Sequence, residues 1–341
     1  DMLHPGYGFL SERADFAERC EIEGITFVGP NVEHLRLFGD KGEARSAAIE
    51  AGVPVLKGVN RGVTLSEAQE FFKSIKGSVI IKAVAGGGGR GTRIVKSKKD
   101  LESAFVRCES EAKAAFGIGD LYIEEFMNCA RHIEVQIIGD TGGNVIHLGE
   151  RECSAQRRNQ KVIEIAPAPN FSPVLREKIL KSAVAFAQQQ KYQSLGTFEF
   201  LVDGNEPGSK FVFIEANARL QVEHTVTEEV TDIDLVASQI KVALGDSLSE
   251  IGLDLDNAIN PKGFAIQARV NLETIKPDGS VMPSSGVLTS YDVPTGPGVR
   301  TDGFGYVGYE TSSAYDSLLA KVIVHSKTAN FQEASLKSVS Y

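Results

Sequence analysis

The chain has 341 residues, a net charge of −9 and a hydrophobic fraction of 42%. This is the composition of a folded protein of two or three compact units rather than of a disordered one. Its longest apolar runs are far too short to cross a bilayer, and its acidic balance argues against nucleic acid as the main partner. The four cysteines include no CxxC pair, so we expect neither a disulfide framework nor a zinc site and favour a reducing compartment.

The first fifty residues predict part of an α/β layer. Helical spacing over residues 11–23 begins at Ser11, a residue type that can cap a helix. A short apolar strand, Ile25–Val28, precedes two further predicted helices over 31–38 and 40–51. One strand is too few for an independent sheet, so we expect the N-terminal part of this layer to be missing from the chain.

After a Gly- and Pro-containing linker over 52–62, the pattern predicts a small α+β module around a glycine loop. Its elements are a helix (64–75), a strand (79–83), the glycine loop (86–91), a strand (92–96), a helix (98–116) and a strand (121–126). The remainder is strand-rich, with strands over 131–138, 143–148, 195–202 and 210–216, helices near 172–190 and 228–244, and short strands between Gly and Pro turns over 262–325.

The glycine loop indicates a phosphate-binding segment. Between two predicted strands stand Gly86, Gly87, Gly88, Gly89 and Gly91. Backbone N–H groups of such a run can approach phosphate oxygens because no Cβ obstructs them, and Lys82 at the end of the preceding strand would be aimed at the phosphates. The alternative is a flexible hairpin with an incidental lysine. The loop matches neither a Walker A motif nor a dinucleotide fingerprint, because it lacks Gly-Lys-Ser/Thr and precedes a strand.

Two predicted strands each carry one carboxylate within an apolar, aromatic run. Glu199 interrupts Phe198–Leu201, and Glu215 interrupts Phe211–Ala216. Asn217 lies two residues beyond Glu215 and hence on the same strand face. Buried carboxylates need a partner, and this oxygen-rich set predicts Mg²⁺ held together with substrate phosphates. Salt bridges to buried arginines are the alternative.

The residues directly after the second of these strands predict a site for a small planar anion. Arg219 and Gln221 offer donors of fixed geometry. Glu223 beside them can serve as the general base for a small acid such as bicarbonate. A lone histidine is more often structural than catalytic, so His224 stays outside the predicted catalytic set.

A charged run over 150–161 follows a strand and precedes an apolar segment. Such a run is usually a solvated face, and for Arg157 and Arg158 taken singly we favour that interpretation. Its placement at a strand end is also typical of a binding edge, where we expect Gln156 and Lys161 to face the ligand. Cys153 has no histidine nearby in sequence, which favours packing over nucleophilic chemistry.

Taken in order, these motifs resemble the biotin carboxylase domain of biotin-dependent carboxylases of the acyl-CoA or pyruvate carboxylase type, within the ATP-grasp superfamily. The segments that carry the resemblance are His4–Glu12, Gly39–Lys41, Ile81–Lys82 with the glycine run, Arg131–Gln136, Glu150–Lys161, Gly196–Phe200, Glu215–Thr227, Gly298–Arg300 and Tyr315–Ser317. The resemblance implies an α/β fold of the ATP-grasp biotin carboxylase type, incomplete at both ends. Its expected parts are an N-terminal α/β domain (1–53), a mobile lid (54–126) and a C-terminal domain (127–341).

The resemblance also implies a role for each matched residue. The contacts with ATP would come from Lys41, Lys82, the lid glycines, Glu124, Glu125, His132, Gln156 and Leu201. The metal, Mg²⁺ or Mn²⁺, would be bound by Glu199, Glu215 and Asn217. Bicarbonate would be bound by Lys161, Arg219, Gln221 and Val222. The catalytic set would be Lys161 and Arg219 with Glu223 as the base of bicarbonate and Arg300 as the residue that stabilises the enolate of biotin.

The implied activity is that of a ligase, the ATP-dependent carboxylation of biotin by bicarbonate through carboxyphosphate. The implied partners are a biotin carboxyl carrier domain, a carboxyltransferase domain or subunit, and further copies of the chain, in the cytoplasm or the mitochondrial matrix. Neither nucleic acid nor a membrane is expected as a partner. Two alternatives stay open: an ATP-grasp enzyme with a different acceptor, as in carbamoyl-phosphate synthetase, and a non-catalytic nucleotide-binding module.

Overall fold

The computed structural model of the chain describes residues 1–341 except for 60–61, 76, 85–90, 158, 254–258, 279 and 313–315. The predicted phosphate-binding residues Gly86, Gly87, Gly88 and Gly89 therefore lie outside the described residues, whereas Gly91 lies within them. None of the described helices is both long enough and apolar enough to span a membrane.

The N-terminal layer contains the short parallel strands β1 (Met2–Leu3) and β2 (Thr26–Phe27) and the helices α1 (Ala14–Ile22), α2 (Val32–Gly39) and α3 (Lys41–Glu50). The sequence predicted β2 but not β1, because a strand of two residues leaves no readable alternation. The predicted helix cap at Ser11 is wrong. Ser11 is buried in a 3₁₀ turn over Phe9–Glu12, and α1 begins only at Ala14.

The small α+β module consists of β3 (Gly58–Val59), α4 (Leu65–Ser74), β4 (Val79–Ala83), β5 (Thr92–Val95), α5 (Lys98–Phe116) and β6 (Leu121–Glu125). Its sheet runs in the order β3-β6-β4-β5 with antiparallel pairs. A capping box of Thr64 and Glu67 starts α4, and Gly117, with a φ of 77°, ends α5. Apart from β3, the sequence predicted each of these elements to within two residues.

The rest of the chain is built on one large antiparallel sheet. Its elements begin with β7 (Arg131–Gly139), β8 (Val145–Arg157), β9 (Gln160–Ala166), α6 (Pro173–Gln189), β10 (Ser194–Val202), β11 (Phe211–Asn217), α7 (His224–Thr231) and α8 (Leu235–Ala243). They continue with β12 (Phe264–Asn271), β13 (Glu273–Ile275), β14 (Val281–Pro283), β15 (Gly286–Val287), β16 (Val299–Gly303), β17 (Glu310–Thr311), β18 (Leu318–Ser326) and α9 (Phe331–Val339). The sheet order is β11-β10-β7-β8-β9-β12-β18-β16, while β13 pairs with β14 and β15 with β17.

Two local predictions in this part are wrong. Residues 150–157, expected as a charged run after a strand, belong to β8, and the unpredicted β9 follows from Gln160. Charged residues enter this strand because other elements of the fold supply their partners, Arg176 of α6 for Glu150 and Glu134 of β7 for Arg151. The single helix predicted over 228–244 is two helices, because Asp232 adopts a φ of 62° and the side chain of Asp234 caps α8.

Aromatic side chains join the N-terminal layer to the large sheet. The ring of Phe38 in α2 lies 5.9 Å from Phe186 of α6 and 5.5 Å from Phe198 of β10. Phe186 and Phe198 meet edge to face, 5.4 Å apart at 86°, a geometry that adds to the energy of apolar burial. Phe198 and Phe200 both belong to this core, so Glu199 between them points to the opposite face of the sheet.

The aromatic core predicts a large effect of one truncation. Phe186→Ala removes a fully buried ring that contacts Phe38 and Phe198. We expect the free energy of unfolding to fall by about 3–5 kcal/mol, measured by urea denaturation. The matched control Phe304→Ala removes a ring that is 54% exposed and should change stability by about 1 kcal/mol or less. Equal effects of the two substitutions would contradict this description of the core.

Candidate active site

One largely buried lysine, with 14% of its side chain exposed, joins several strands of the large sheet. Lys161 of β9 places its Nζ 2.5 Å from Glu134 Oε2, 3.0 Å from Glu199 Oε1 and 2.7 Å from Glu223 Oε1. These carboxylates come from β7, from β10 and from the residue before α7, and all of them are buried. Because an unpaired charge is expensive to bury, a lysine with three carboxylate partners is a strong constraint on how these elements pack.

Two arginines supply further positive charge to this cluster. Arg151 of β8 is fully buried and donates through Nε to Glu134 Oε1 at 2.5 Å. Arg269 of β12 donates through Nη2 to Glu223 Oε2 at 3.0 Å and through Nε to Glu164 Oε1 at 2.6 Å. The cluster is therefore a continuous network of alternating charges. We call Glu134, Arg151, Lys161, Glu164, Glu199, Glu223 and Arg269 the charged cluster.

The cations keep two of the glutamates ionised. Burial would raise the pKa of Glu223, but Lys161, Arg269 and Arg151 outweigh it and hold that pKa well below its ordinary value. Burial likewise opposes ionisation of Glu199, whose pKa is nevertheless lowered by Lys161 and His132. Burial also disfavours the charged form of Lys161, yet its glutamate partners raise its pKa well above the usual range. The charged forms are therefore the stable ones near neutral pH.

The predicted metal ligands lie side by side at this cluster. Glu199 of β10 is the register partner of Glu215 of β11, and Asn217 donates through Nδ2 to Glu199 Oε1 at 2.8 Å. Lys41 approaches from α3, with Nζ 3.3 Å from Glu215 Oε2, and this carboxylate raises the pKa of Lys41. Asp40 caps α3 by accepting from the backbone N–H groups of its first turn, which fixes Lys41 at the start of the helix.

A β-bulge directs Glu215 towards this site. Simple alternation along β11 would place Glu215 on the same face as Phe213, which packs in the aromatic core. The pairing of β10 with β11 shifts between Glu199 and Phe200, so that Glu199 faces Glu215 while Phe200 faces Phe213. Ile214 is the extra residue. The bulge reverses the faces beyond it, and bulges recur next to active sites for this reason.

His132 and Gln156, expected near the ribose, join the same network. His132 of β7 has Nε2 2.6 Å from Glu199 Oε2, and Gln156 Nε2 lies 3.0 Å from His132 Nδ1. Burial would lower the pKa of His132, but the charge of Glu199 raises it on balance. Leu201, expected to pack on adenine, is the register partner of His132 on β10. These three predicted nucleotide contacts are therefore neighbours.

The other predicted nucleotide contacts lie on the small module. Lys82 of β4 forms an ion pair with Glu124 of β6, which is buried. The neighbouring Glu125 donates its backbone N–H to the carbonyl of Lys57 at 2.8 Å. Gly91 has a φ of 65°, and a Cβ there would lie 3.0 Å from the side chain of Ala83, so this position favours glycine on both counts.

The predicted anion site lies on the turn between β11 and α7. Arg219 donates through Nη1 to Gln221 Oε1 at 3.2 Å, and its Nη2 is 3.5 Å from Asn217 Oδ1. The carbonyl of Val222 accepts from Lys321 Nζ at 3.0 Å, which holds the turn against β18. His224 contacts the carbonyl of Gln221 through Nδ1 at 2.7 Å, and burial lowers its pKa to about 4. A neutral histidine that braces the turn fits the structural role predicted for it.

Arg300 is a predicted catalytic residue that, unlike Lys161 and Glu223, lies outside the charged cluster. It lies on β16, two strands beyond β12 in the sheet order, and it pairs with Asp302 at 2.8 Å and Glu228 at 2.7 Å. It also borders a cavity of about 640 Å³. The arginine that contacts Glu223 is Arg269, to which the sequence reasoning gave no role.

Glu134, Glu164 and Arg269 are members of the site that sequence reasoning missed. Each is a charged residue inside an otherwise apolar strand segment, as in Ile163-Glu164-Ile165 and Ala268-Arg269-Val270. That signal identified Glu199 and could have identified these residues too. Among the described residues, His132, Glu134 and Glu199 form one group with ligand atoms within 4.8 Å of one another, and Glu134, Cys153 and Glu223 form another. Neither group includes Glu215 or Asn217, the other two predicted metal ligands, and we assign a metal to neither group.

Comparison with known proteins identifies the family. Three family models match the chain: "Biotin carboxylase, N-terminal domain" over residues 1–35, "Carbamoyl-phosphate synthase L chain, ATP binding domain" over 40–251 and "Biotin carboxylase C-terminal domain" over 267–339. The structure is similar, with a TM-score of 0.92 and 41% identity, to the biotin carboxylase domain of 2-oxoglutarate carboxylase from Hydrogenobacter thermophilus, over 99% of this chain and 73% of that one. The chain belongs to the biotin carboxylase family. The predicted α/β fold of the ATP-grasp type is thereby confirmed.

Two further relatives support the same assignment of the family. Biotin carboxylase from Campylobacter jejuni is 43% identical with a TM-score of 0.91, over 99% of this chain and 74% of that one. Human mitochondrial pyruvate carboxylase is 51% identical over 96% of this chain, which covers 27% of that protein. The chain thus spans about a quarter of the length of this curated relative. The models at both ends favour biotin carboxylase over the carbamoyl-phosphate synthetase alternative, although the central model carries the latter name.

The charged cluster predicts how the stability of the protein depends on pH. The pKa values of Glu199 and Glu223 are lowered in the folded protein from an ordinary value near 4.5. Their contribution is therefore fully present above that value and is lost progressively as the pH falls below it towards the lower folded-state pKa values. Lys161→Met removes the cation that both glutamates contact. We therefore expect folded-state pKa values above the unfolded ones and a protein that becomes more stable as the pH falls from 8 to 5.

Thermal melting of both proteins between pH 8 and pH 5 measures this difference. The control Lys181→Met removes an exposed lysine that pairs with Glu177 and should follow the wild-type curve. A Lys161→Met protein whose pH dependence equals that of the wild type would contradict the assigned role of Lys161.

Proposed function

We propose that this chain catalyses the ATP-dependent carboxylation of biotin by bicarbonate, with the biotin presented on a carrier domain. The observation that carries the proposal is that one buried lysine, Lys161, contacts both Glu199 of the predicted metal pair and Glu223, the predicted base. A metal-bound triphosphate and a small acid would therefore meet at the same ammonium group. That proximity is what transfer of a phosphoryl group to bicarbonate requires.

The nucleotide would bind between the small module and the large sheet. Glu199 and Glu215, opposite each other on neighbouring strands, form with Asn217 an oxygen-donor set of the kind that Mg²⁺ or Mn²⁺ prefers. When bound, the metal would neutralise charge on the phosphates of ATP. Lys41 and Lys82 would contact the phosphates, and the residues predicted for the adenosine are Glu124, Glu125, His132, Gln156 and Leu201.

Bicarbonate would bind at the turn before α7. Lys161, Arg219, Gln221 and the backbone N–H of Val222 would hold it beside Glu223, which takes its proton. Glu223 on its own is a weak base, because its cations lower its pKa. An anion that binds Lys161 and Arg219 competes with Glu223 for positive charge and adds a negative neighbour, so binding of the substrate itself raises the basicity of Glu223.

The deprotonated bicarbonate would attack the γ-phosphorus of ATP and release ADP. The product, carboxyphosphate, breaks down to CO₂ and phosphate; the phosphate accepts the N1′ proton of biotin, and the resulting enolate captures CO₂. The cations of the charged cluster stabilise the negative charge that develops in these steps. Exclusion of water is needed because carboxyphosphate would otherwise be hydrolysed.

The enolate of biotin would be stabilised by an arginine, and two are candidates. The family resemblance assigned this role to Arg300, whose partners are Asp302 and Glu228. The contact of Arg269 with Glu223 favours Arg269 instead, because the enolate must form beside the site where CO₂ is released. We propose Arg269 for this role.

The larger protein would be a multidomain carboxylase. The likeness to human mitochondrial pyruvate carboxylase supports a partner carboxyltransferase that passes the carboxyl group from biotin to pyruvate. The Hydrogenobacter thermophilus structure is a dimer of biotin carboxylase domains with MgADP and bicarbonate, which supports the proposed ligands and a homo-oligomer. The compartment would be the mitochondrial matrix or the cytoplasm.

The proposal predicts ATP hydrolysis that depends on bicarbonate and is stimulated by free biotin. Glu223→Gln keeps the shape of the side chain but removes the base, so we expect hydrolysis to fall about 10²- to 10⁴-fold. Release of phosphate measures the rate. The control Glu177→Gln alters an exposed glutamate outside the site and should retain wild-type turnover. Bicarbonate-dependent hydrolysis that is not stimulated by biotin would indicate a different acceptor. Nucleotide binding without turnover would contradict the proposal.

Substitution of each arginine in turn distinguishes the two candidates for stabilising the enolate. We expect Arg269→Ala to reduce biotin-stimulated turnover about 100-fold or more, since it removes a donor to developing negative charge. Arg300→Ala should reduce biotin-stimulated turnover less than about fivefold, because Arg300 belongs to a partly exposed ion pair. Steady-state rates at saturating ATP and varied biotin distinguish the candidates. The reverse order of effects would return the role to Arg300.

A further inference from the structure

Glu164 is a buried carboxylate of the charged cluster to which the proposed mechanism gives no task. It lies on β9, three residues after Lys161, and it is fully buried. Its Oε2 accepts from Gln267 Nε2 at 2.9 Å, and its Oε1 accepts from Arg269 Nε at 2.6 Å. Burial of a carboxylate costs free energy unless the group is paired, so the contacts of Glu164 indicate its role.

The guanidinium of Arg269 is bracketed by two carboxylates. Its Nη2 lies 2.5 Å from Glu164 Oε1 and 3.0 Å from Glu223 Oε2. The long side chain of arginine can adopt many rotamers, so it keeps one orientation only when its N–H donors have fixed partners. Glu164 Oε1 contacts both Nε and Nη2, so the two carboxylates share Nη2 and Glu164 holds the Nε edge of the guanidinium.

Gln267 fixes the carboxylate that holds Arg269. Gln267 is the register partner of Glu164 across the β9–β12 pair and is itself fully buried. Its Oε1 accepts from Thr225 Oγ1 of α7, which directs its Nε2 towards Glu164. The contacts thus run from α7 through Gln267 and Glu164 to Arg269, and back to Glu223 at the start of α7.

We propose that Glu164 is a positioning residue that acts through Arg269 and keeps this guanidinium from collapsing onto Glu223. This inference rests on the proposed function, in which Arg269 serves the enolate of biotin and Glu223 is the base. Without the negative charge of Glu164, Arg269 has Glu223 as its remaining carboxylate partner. A tighter pair would withdraw Arg269 from biotin and weaken Glu223 as a base.

The surroundings of Glu164 also make its charge sensitive to pH. Arg269 and Gln267 face it from β12, Glu223 from the start of α7 and Cys153 from β8. Burial and the negative charge of Glu223 outweigh Arg269 and raise the pKa of Glu164 to about 7. Glu164 therefore takes up a proton as the pH falls through 7, and its hold on Arg269 then weakens. Biotin-dependent turnover should fall over the same range.

Kinetics of Glu164→Gln in the full-length protein test the proposal. We expect biotin-stimulated turnover to fall about 10- to 100-fold, the usual effect of losing a charge-assisted hydrogen bond, with little change in KM for ATP. The pH profile of the variant should lack the inflection near 7. The control Glu150→Gln alters a buried glutamate that pairs with Arg176 away from Glu223 and should keep the wild-type profile.

A double-mutant cycle tests whether Glu164 acts through Arg269. If it does, the combination of Glu164→Gln with Arg269→Ala loses no more turnover than Arg269→Ala alone. Additive losses would overturn the proposal, as would wild-type turnover in Glu164→Gln. Glu164→Asp keeps the charge and should show a smaller loss, so this variant carries the test if Glu164→Gln does not fold. Wild-type turnover in Glu164→Asp, or a loss as large as that of Glu164→Gln, would equally overturn it.

A crystal structure of Glu164→Gln separates this inference from the proposed function. We expect the guanidinium of Arg269 to move towards Glu223 and to bind it through two nitrogens. An unmoved Arg269 would overturn the positioning role whatever the turnover. Absence of biotin-stimulated hydrolysis in the wild-type protein would contradict the proposed function, while the crystal structure still decides what Glu164 does.

Discussion

The site depends on the burial of one ammonium group among three carboxylates. Lys161 contacts Glu134, Glu199 and Glu223, which belong to different elements of the fold. An ion pair exposed to water contributes little to stability. In the interior, removal of one partner leaves an uncompensated buried charge, which is strongly destabilising. The arrangement therefore exists only if β7, β9, β10 and the start of α7 are in register with one another. The aromatic core on the opposite face of the sheet supplies the apolar burial that holds those elements together.

Sharing one cation couples the two halves of the proposed reaction. The same Lys161 ammonium contacts Glu199, on the side proposed for the metal and phosphates, and Glu223, on the side proposed for the small acid. A metal ion bound at Glu199 would reduce the demand of that carboxylate for Lys161, and an anion beside Glu223 would increase it. Binding on either side would thus change the electrostatic environment of the same ammonium group. This is a physical reason for placing the nucleotide and the acid around a single, largely buried lysine.

Much of this site could be predicted from the sequence, because a carboxylate within an apolar strand is conspicuous. Glu199 and Glu215 were identified in that way, Glu223 by its place beside Arg219 and Gln221, and Lys161 by its place in a charged run at a strand end. The bulge at Ile214 could not be predicted, since alternation alone places Glu215 with the aromatic core. Glu164 and Arg269 carried the same signal and were overlooked, because their function depends on a pairing between β9 and β12 that no local pattern encodes. Arg157 of β8, taken singly, was interpreted as part of a solvated face for a similar reason, since its partner Glu273 is distant in sequence.

The most direct test is a crystal structure of the chain with Mg²⁺, a non-hydrolysable ATP analogue and bicarbonate. The account predicts a metal ion bound by Glu199 and Glu215, and bicarbonate between Lys161 and Arg219 with one oxygen within hydrogen-bonding distance of Glu223. A metal held by other side chains, or bicarbonate bound away from Lys161, would contradict the claim that this lysine organises both halves of the site.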